Sequence, residues 1–334
     1  MRRADSRGFS LVELMVAMTL GLILMGGAIS VLYSSKVTYN ENTRVARLQE
    51  SGRAAIELML RDMRAGGFKG CNQTLPLTNA LASPTGLLWN FAAPVQGFEA
   101  TSATAWTPTV DTAIVSPKGG NDILAVRTSR IESPSFTTNA SLASSTADVT
   151  VDKATTDTIA NGSTVMISDC SAAAVFSVTT FTDAGATATL AHGSTDLGIA
   201  FPAGARVVPV DTIIYYIRDS ATLRNGVRNP SLWRKVGAAA EQELIEGIES
   251  MQITYGVDTD GDRLVNTYVT ADAVTNWTRV ISVSIGLLIR SIEPNALTKD
   301  TRTYNVLGTS FTAPGDKYQR TLYATTVALR NNTQ

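Results

Sequence analysis

Within residues 9–32, FSLVELMVAMTLGLILMGGAISVL, Glu13 is the only charged residue. An acid at the centre of a membrane helix costs roughly 2.5–3.5 kcal/mol on insertion scales, so such a residue is read first as functional. Glu13 also sits only about a turn inside the run, within reach of the interface by snorkelling. Position alone leaves both readings open. If the carboxylate does stay in an apolar environment, it needs a cationic partner.

Asp258, Asp260 and Asp262 alternate in the heptapeptide VDTDGDR. Oxygen-rich loops of this kind suit Ca²⁺, which takes about six to eight hard ligands. The run departs from an EF-hand loop: Gly261 takes the fourth place, Arg263 the sixth where glycine is required, and Val269 the twelfth where glutamate is expected. A charged, solvated hairpin turn between Tyr255 and Tyr268 accounts for the same residues. No cofactor is expected, and calcium on these three aspartates is the one candidate. His192 is the only histidine and lies in the turn-like Ala191-His192-Gly193-Ser194 without a nucleophile-elbow sequence, so a surface histidine is expected. Cys71 and Cys170 lack the spacing of a redox or zinc pair. No phosphate-binding or dinucleotide fingerprint is present. Tyr215, Tyr216, Trp233 and Trp277 are expected in a core or on a sheet face. Catalysis is not expected.

The elements that must position these residues begin with the apolar run. Its 24 residues make ~36 Å of helix, enough to cross a bilayer core and too long for a signal-peptide core. The first eight residues carry Arg2, Arg3 and Arg7 against Asp5, and their removal leaves 25 basic and 28 acidic residues, a net of −3. The basic excess thus lies before the apolar run, where the positive-inside rule holds it in the cytoplasm. That balance disfavours a nucleic-acid surface. If the chain beyond the run is exported, an oxidising compartment makes a Cys71–Cys170 disulfide reasonable.

From Val45 to Met63, Val45, Leu48, Ile56, Met59, Leu60 and Met63 recur at helical spacing with Gly52 on the same face, while Arg44, Arg47, Arg53, Asp62 and Arg64 take the remaining positions. Gly66, Gly67 and Gly70 follow. With no proline between Met1 and Leu75, one helix of ~84 Å from about Phe9 to Arg64 is predicted, its second half packing on a soluble domain. Residues 71–120 read as loops with short strands. Beyond them, strands are predicted at Ile123–Arg127, Thr164–Ser168, Ala174–Phe181, Arg206–Ile217, Ser231–Val236, Met251–Val257, Thr267–Thr270, Val280–Arg290 and Arg320–Arg330. Asn225-Gly226 reads as a tight turn. Residues 241–250 read as helical, Ala271–Trp277 as a short helical turn, and 137–160 as an exposed hairpin or poorly ordered insertion.

Gly8-Phe9-Ser10-Leu11-Val12-Glu13, behind a basic leader and before an uninterrupted apolar run, resembles the processing site of type IV prepilins. The resemblance implies cleavage between Gly8 and Phe9 by a prepilin peptidase, methylation of the new Phe9 amine, and a role for Glu13 in setting axial register against a neighbour's amine. A finer resemblance, to the PilW family of minor pilins, rests on Gly66-Gly67-Phe68-Lys69-Gly70-Cys71, on Glu246-Gly247-Ile248-Glu249 leading into Ile253-Thr254-Tyr255-Gly256, on Trp277, Val280, Val283 and Leu287-Leu288-Ile289-Arg290, and on Thr326-Val327-Ala328-Leu329-Arg330-Asn331.

The implied fold is α+β and pilin-like. It has a leader (1–8), a transmembrane helix half (9–32), an amphipathic half (33–65) and a mostly antiparallel β periplasmic domain (66–334). The implied function is a non-catalytic minor pilin that primes assembly and sits near the pilus tip. It would lie in the inner membrane before assembly and in the extracellular fibre afterwards. Expected partners are other minor pilins, the major pilin, the prepilin peptidase, the inner-membrane assembly platform, membrane lipid and a large tip adhesin. The J-type minor pseudopilin of type II secretion and a tip-exposed ligand-binding pilin are the alternatives.

Overall fold

A 54-residue helix, Leu11–Arg64, leads into 19 strands among the described residues. The structure is a computed structural model and describes residues 10–70, 75–130, 135–152, 159–224, 226–294 and 297–332. The chain divides into two units, residues 1–50 and 51–334.

In the first unit the helix carries no charged residue from Leu14 to Tyr33. An 18-residue window of it has mean hydropathy 2.2 with no residue buried, so the segment is long and apolar enough to cross a membrane. In the second unit the same helix changes character. Gly52, Ala55, Met59 and Met63 are buried at three- and four-residue intervals, as the amphipathic spacing requires. Gly52 admits the Tyr323 ring: a Cβ would stand 2.4 Å from it and the ring would have to shift. Asp62, expected among the exposed positions, is only 4% exposed.

The last turns of the helix lie across two sheets. The larger has ten strands, in the order Leu77–Asn79, Ala173–Ser177, Thr164–Ser168, Arg206–Arg224, Ile123–Ser129, Val95–Ala100 and Trp106–Thr107, with three more joined to the long Arg206–Arg224 strand or beyond it. That strand pairs with Thr164–Ser168 through residues 206–209 and with Ile123–Ser129 through residues 210–215. It pairs with Val227–Val236 from Ile213 onward. Arg224 faces Val227 across the turn and Gly226 has φ +77°, while Asn225 lies outside the described residues. The second sheet is Thr267–Val269, Ile248–Val257, Val280–Arg290 and Arg320–Ala328, all antiparallel. Its middle strand VISVSIGLLIR is buried from Val280 to Ile289, because partners flank it on both sides. Pairing throughout is antiparallel except between Leu77–Asn79 and Ala173–Ser177.

Side chains join the two sheets. Met251 N–H donates to Asn121 Oδ1 (2.8 Å), and Ile253 N–H donates to Asp122 Oδ2 (2.8 Å). Tyr215 and Tyr216, adjacent on one strand, face opposite ways. Tyr215 meets the helix, whereas Tyr216 packs with Trp233, Phe98 and Ile214 on the far side.

Three expectations are corrected. Residues 241–250 are strand, not helix: Gln242–Glu246 pairs with residues 231–234, and Ile248–Val257 begins beyond Gly247. Gly247 has φ +94° and a Cβ there would lie 2.6 Å from the Arg290 carbonyl oxygen, so a helix cannot run through it. Residues 137–160, expected as an exposed hairpin or poorly ordered insertion, contribute to a core, although 153–158 lie outside the described residues. Val149–Asp152 pairs with Thr187–Ala191, and Leu142, Val149, Val151 and Ile159 join a core with Phe176 and Phe201. The predicted strand Ala174–Phe181 is two strands, Ala173–Ser177 and Thr180–Asp183, in different sheets.

Candidate functional site

The N-terminus of the helix is a capping box. Ser10 Oγ accepts from Glu13 N–H (3.2 Å), and Glu13 Oε2 accepts from Ser10 N–H (3.4 Å). The signal, Ser followed three residues later by Glu ahead of an apolar run, was present in the sequence. Glu13 thus satisfies an orphan donor of its own helix and keeps lone pairs for another partner. Gly8 and Phe9 lie outside the described residues.

At the other end, Asp62 ties the helix to the large sheet. Tyr215 Oη donates to Asp62 Oδ2 (2.5 Å), and Arg234 Nη2 lies 2.9 Å from the same oxygen. Tyr215 and Arg234 are register partners on neighbouring strands, so one carboxylate closes a three-residue clamp. Burial, then the Asp62 charge, pushes the Tyr215 phenol well above its usual range, which keeps it a donor.

Asp258, Asp260 and Asp262 each place a carboxylate oxygen within 4.8 Å of the others. Those oxygens already serve the turn. Asp258 accepts from Gly261 N–H (2.6 Å) and Arg263 N–H (3.0 Å), and Asp262 accepts from Leu264 N–H (2.8 Å). Asp260 accepts from Asn266 Nδ2 (3.3 Å), and Arg279 Nη1 reaches the Asp258 carbonyl (3.4 Å). The Gly261 and Arg263 donors hold the Asp258 carboxyl below its usual range. Arg263 takes φ +68°, so the chain makes the left-handed turn without glycine.

His192 is buried, not at the surface. Its ring packs 5.1 Å from Phe176, and Nε2 lies 2.8 Å from the Ala147 carbonyl oxygen. No serine or cysteine is paired with it among the described residues. Cys71 lies outside the described residues, and Cys170 is not a free thiol.

A long apolar helix opening on a capped glutamate and ending on a β domain is the architecture of a type IV pilin-like subunit. Residues 3–29 match the prokaryotic N-terminal methylation motif, which defines that class. Residues 214–331 match the family of type IV pilus-assembly protein W. Both matches support a type IV pilus minor pilin similar to the PilW family, with an N-terminal helix that anchors it to the membrane. No curated protein matches it. Apart from Gly66–Cys71, every motif quoted for the PilW resemblance lies within residues 214–331.

Proposed function

We propose that this minor pilin primes assembly of a type IV pilus, is incorporated near the tip, and works by docking alone. The carrying observation is the capped Glu13 at the head of an apolar helix, inside a methylation motif and behind a leader of net charge +2. The leader stays cytoplasmic, and the β domain faces the periplasm until the subunit enters the fibre. The prepilin peptidase cuts between Gly8 and Phe9 and methylates the Phe9 amine. Glu13 then pairs with the amine of a neighbouring subunit and fixes axial register. Neighbours are other minor pilins and the major pilin, on an inner-membrane assembly platform, with a large adhesin at the tip. Cys71 pairs with Cys170.

Intact-mass and N-terminal analysis of the membrane protein tests this, with and without the peptidase. The expected product starts at methylated Phe9 and carries two hydrogens fewer than the dithiol. It is lost in the peptidase mutant and in Gly8→Ala. An uncut chain, or cleavage near Gly26–Ala28, would leave a plain anchor or secretory signal and remove the assembly reading.

No cofactor is assigned to docking. The three aspartates act as turn caps, engaged by backbone N–H groups and by the Asn266 amide. Calorimetry on the full chain in detergent is expected to give no saturable heat at millimolar CaCl₂. A saturable heat that disappears in Asp260→Ala would give the loop a calcium role instead.

A further inference from the structure

The long strand Arg206–Arg224 outruns its neighbour. Its pairing with Ile123–Ser129 ends at Tyr215, and its register with Val227–Val236 shifts between Asp219 and Leu223. Bulges of this kind concentrate at sheet edges and beside sites. On the side left open, Lys118 N–H donates to the Ile217 carbonyl (2.7 Å). Ser116, at φ +51°, turns that loop toward the strand.

Between them lies a cavity of about 390 Å³ lined by Lys118, Arg218, Asp219, Arg228 and Trp233 among others. That is ample for a side chain or a small ligand. Its charges are unbalanced. Lys118 Nζ pairs with Asp219 (2.6 Å). Arg218 lies over the Trp233 ring, 4.7 Å from its centroid, and Arg228 Nη1 donates to the Ser220 and Ala221 carbonyls. Neither arginine has a carboxylate partner among the described residues. Trp233 is 7% exposed, and its buried indole N–H has no acceptor among the described residues. A buried donor without an acceptor calls for an explanation, and a bound acceptor supplies one.

We infer that this cavity receives a carboxylate from an acidic, extended segment of a neighbouring protein. Two guanidinium groups offer the forked donors that carboxylates accept. Asp219 at the rim opposes a doubly charged phosphate more than a singly charged carboxylate. The inference rests on the subunit reading only for who the neighbour is. Peptide binding needs neither cleavage nor assembly.

The test is fluorescence anisotropy of a labelled hexaglutamate peptide with the full-length chain in detergent, at low and at physiological salt. Saturable binding is expected that weakens with salt and is absent for hexaglutamine. Arg228→Gln should weaken it at least tenfold, and adding Arg218→Gln should abolish it. Ala221→Trp, which fills the cavity and leaves the cations in place, should block it, with an unfolding midpoint near that of the parent showing that the variant is folded. Equal binding of hexaglutamine, or no effect of Arg228→Gln and Ala221→Trp, overturns the proposal. Competition by inorganic phosphate with no peptide binding also overturns it. Gly8→Ala must bind as the parent does, so a failed pilin reading and a failed pocket give different results.

Discussion

Glu13→Gln should leave the protein inserted, cleaved and folded, yet reduce its recovery in sheared pilus fractions at least tenfold while membrane levels hold. The capping box makes this substitution discriminating. Gln at the third helical position can still accept from Ser10 N–H, so the cap, worth roughly 1 kcal/mol, is retained. Insertion should not suffer, since a neutral amide near the helix start is less costly to insert than a carboxylate. What Gln lacks is charge. The proposed pairing with a neighbour's amine would take place in lipid or in a bundle of apolar helices, where an amine left facing a neutral amide is costly. Glu13→Ala removes cap and charge together, so the two variants should fail alike if charge is what matters. Normal incorporation of Glu13→Gln would overturn the register role and leave Glu13 as a cap. Quantitative immunoblotting of membrane and sheared fractions decides between them.

The sequence made some of this legible because local chemistry and fold agreed. Val280–Arg290 was bounded correctly, since a β-branched apolar run flanked by strands has no competing helical period. The helix end at Arg64 followed from the change of spacing and the glycines after it. Gln242–Glu246 failed because glutamate and leucine favour helix locally, while pairing with residues 231–234 overrides that preference. His192 looked exposed among small residues, but its turn folds onto Phe176. The alternation Val149, Val151 was hidden in a Thr/Ala/Ser-rich stretch. Asp62 read as solvent-facing because its partners, Tyr215 and Arg234, lie more than 150 residues away. Nothing in one sequence links such positions. The Ser10–Glu13 cap is different: Ser followed three residues later by Glu is a purely local pattern.

Arg320→Ala should be the most destabilising single change in the β domain, by about 3–5 kcal/mol, the range for breaking a buried ion pair from one side. The Arg320 side chain has no exposed surface. Its Nε and Nη2 donate to both oxygens of Glu249 (2.6 and 3.1 Å), and Nη1 and Nη2 donate to Asp316 (2.6 and 2.7 Å). Asp300 Oδ2 stands 3.5 Å from Nη1. Arg290 and Arg302 complete a cluster of three guanidinium groups against three carboxylates, and Arg290 also stacks on the Tyr318 ring. Truncation leaves three acids facing two arginines, and Arg290 already reaches Glu249 at only 3.4 Å. The thermal midpoint should fall by roughly 6–20 °C. Arg320→Lys should recover only part of this, because an ammonium cannot fork to two carboxylates at once.

The pH profile carries a second signature. Arg320 hydrogen bonds hold the Asp316 carboxyl below its usual range, and Arg302 and Tyr304 hold Asp300 low against the opposing effect of burial. Depressed acids stabilise the fold above their unfolded pKa and lose that contribution as pH falls through the carboxylate range. The parent should therefore lose stability steeply below about pH 4. Arg320→Ala should start lower at neutral pH and lose less on acidification, since Asp316 is no longer depressed. Parallel acid limbs in parent and variant, or a neutral-pH loss under about 1 kcal/mol, would mean that the cluster is solvated and that the backbone ladder and apolar packing against Val280–Arg290 join Arg320–Ala328 to the domain.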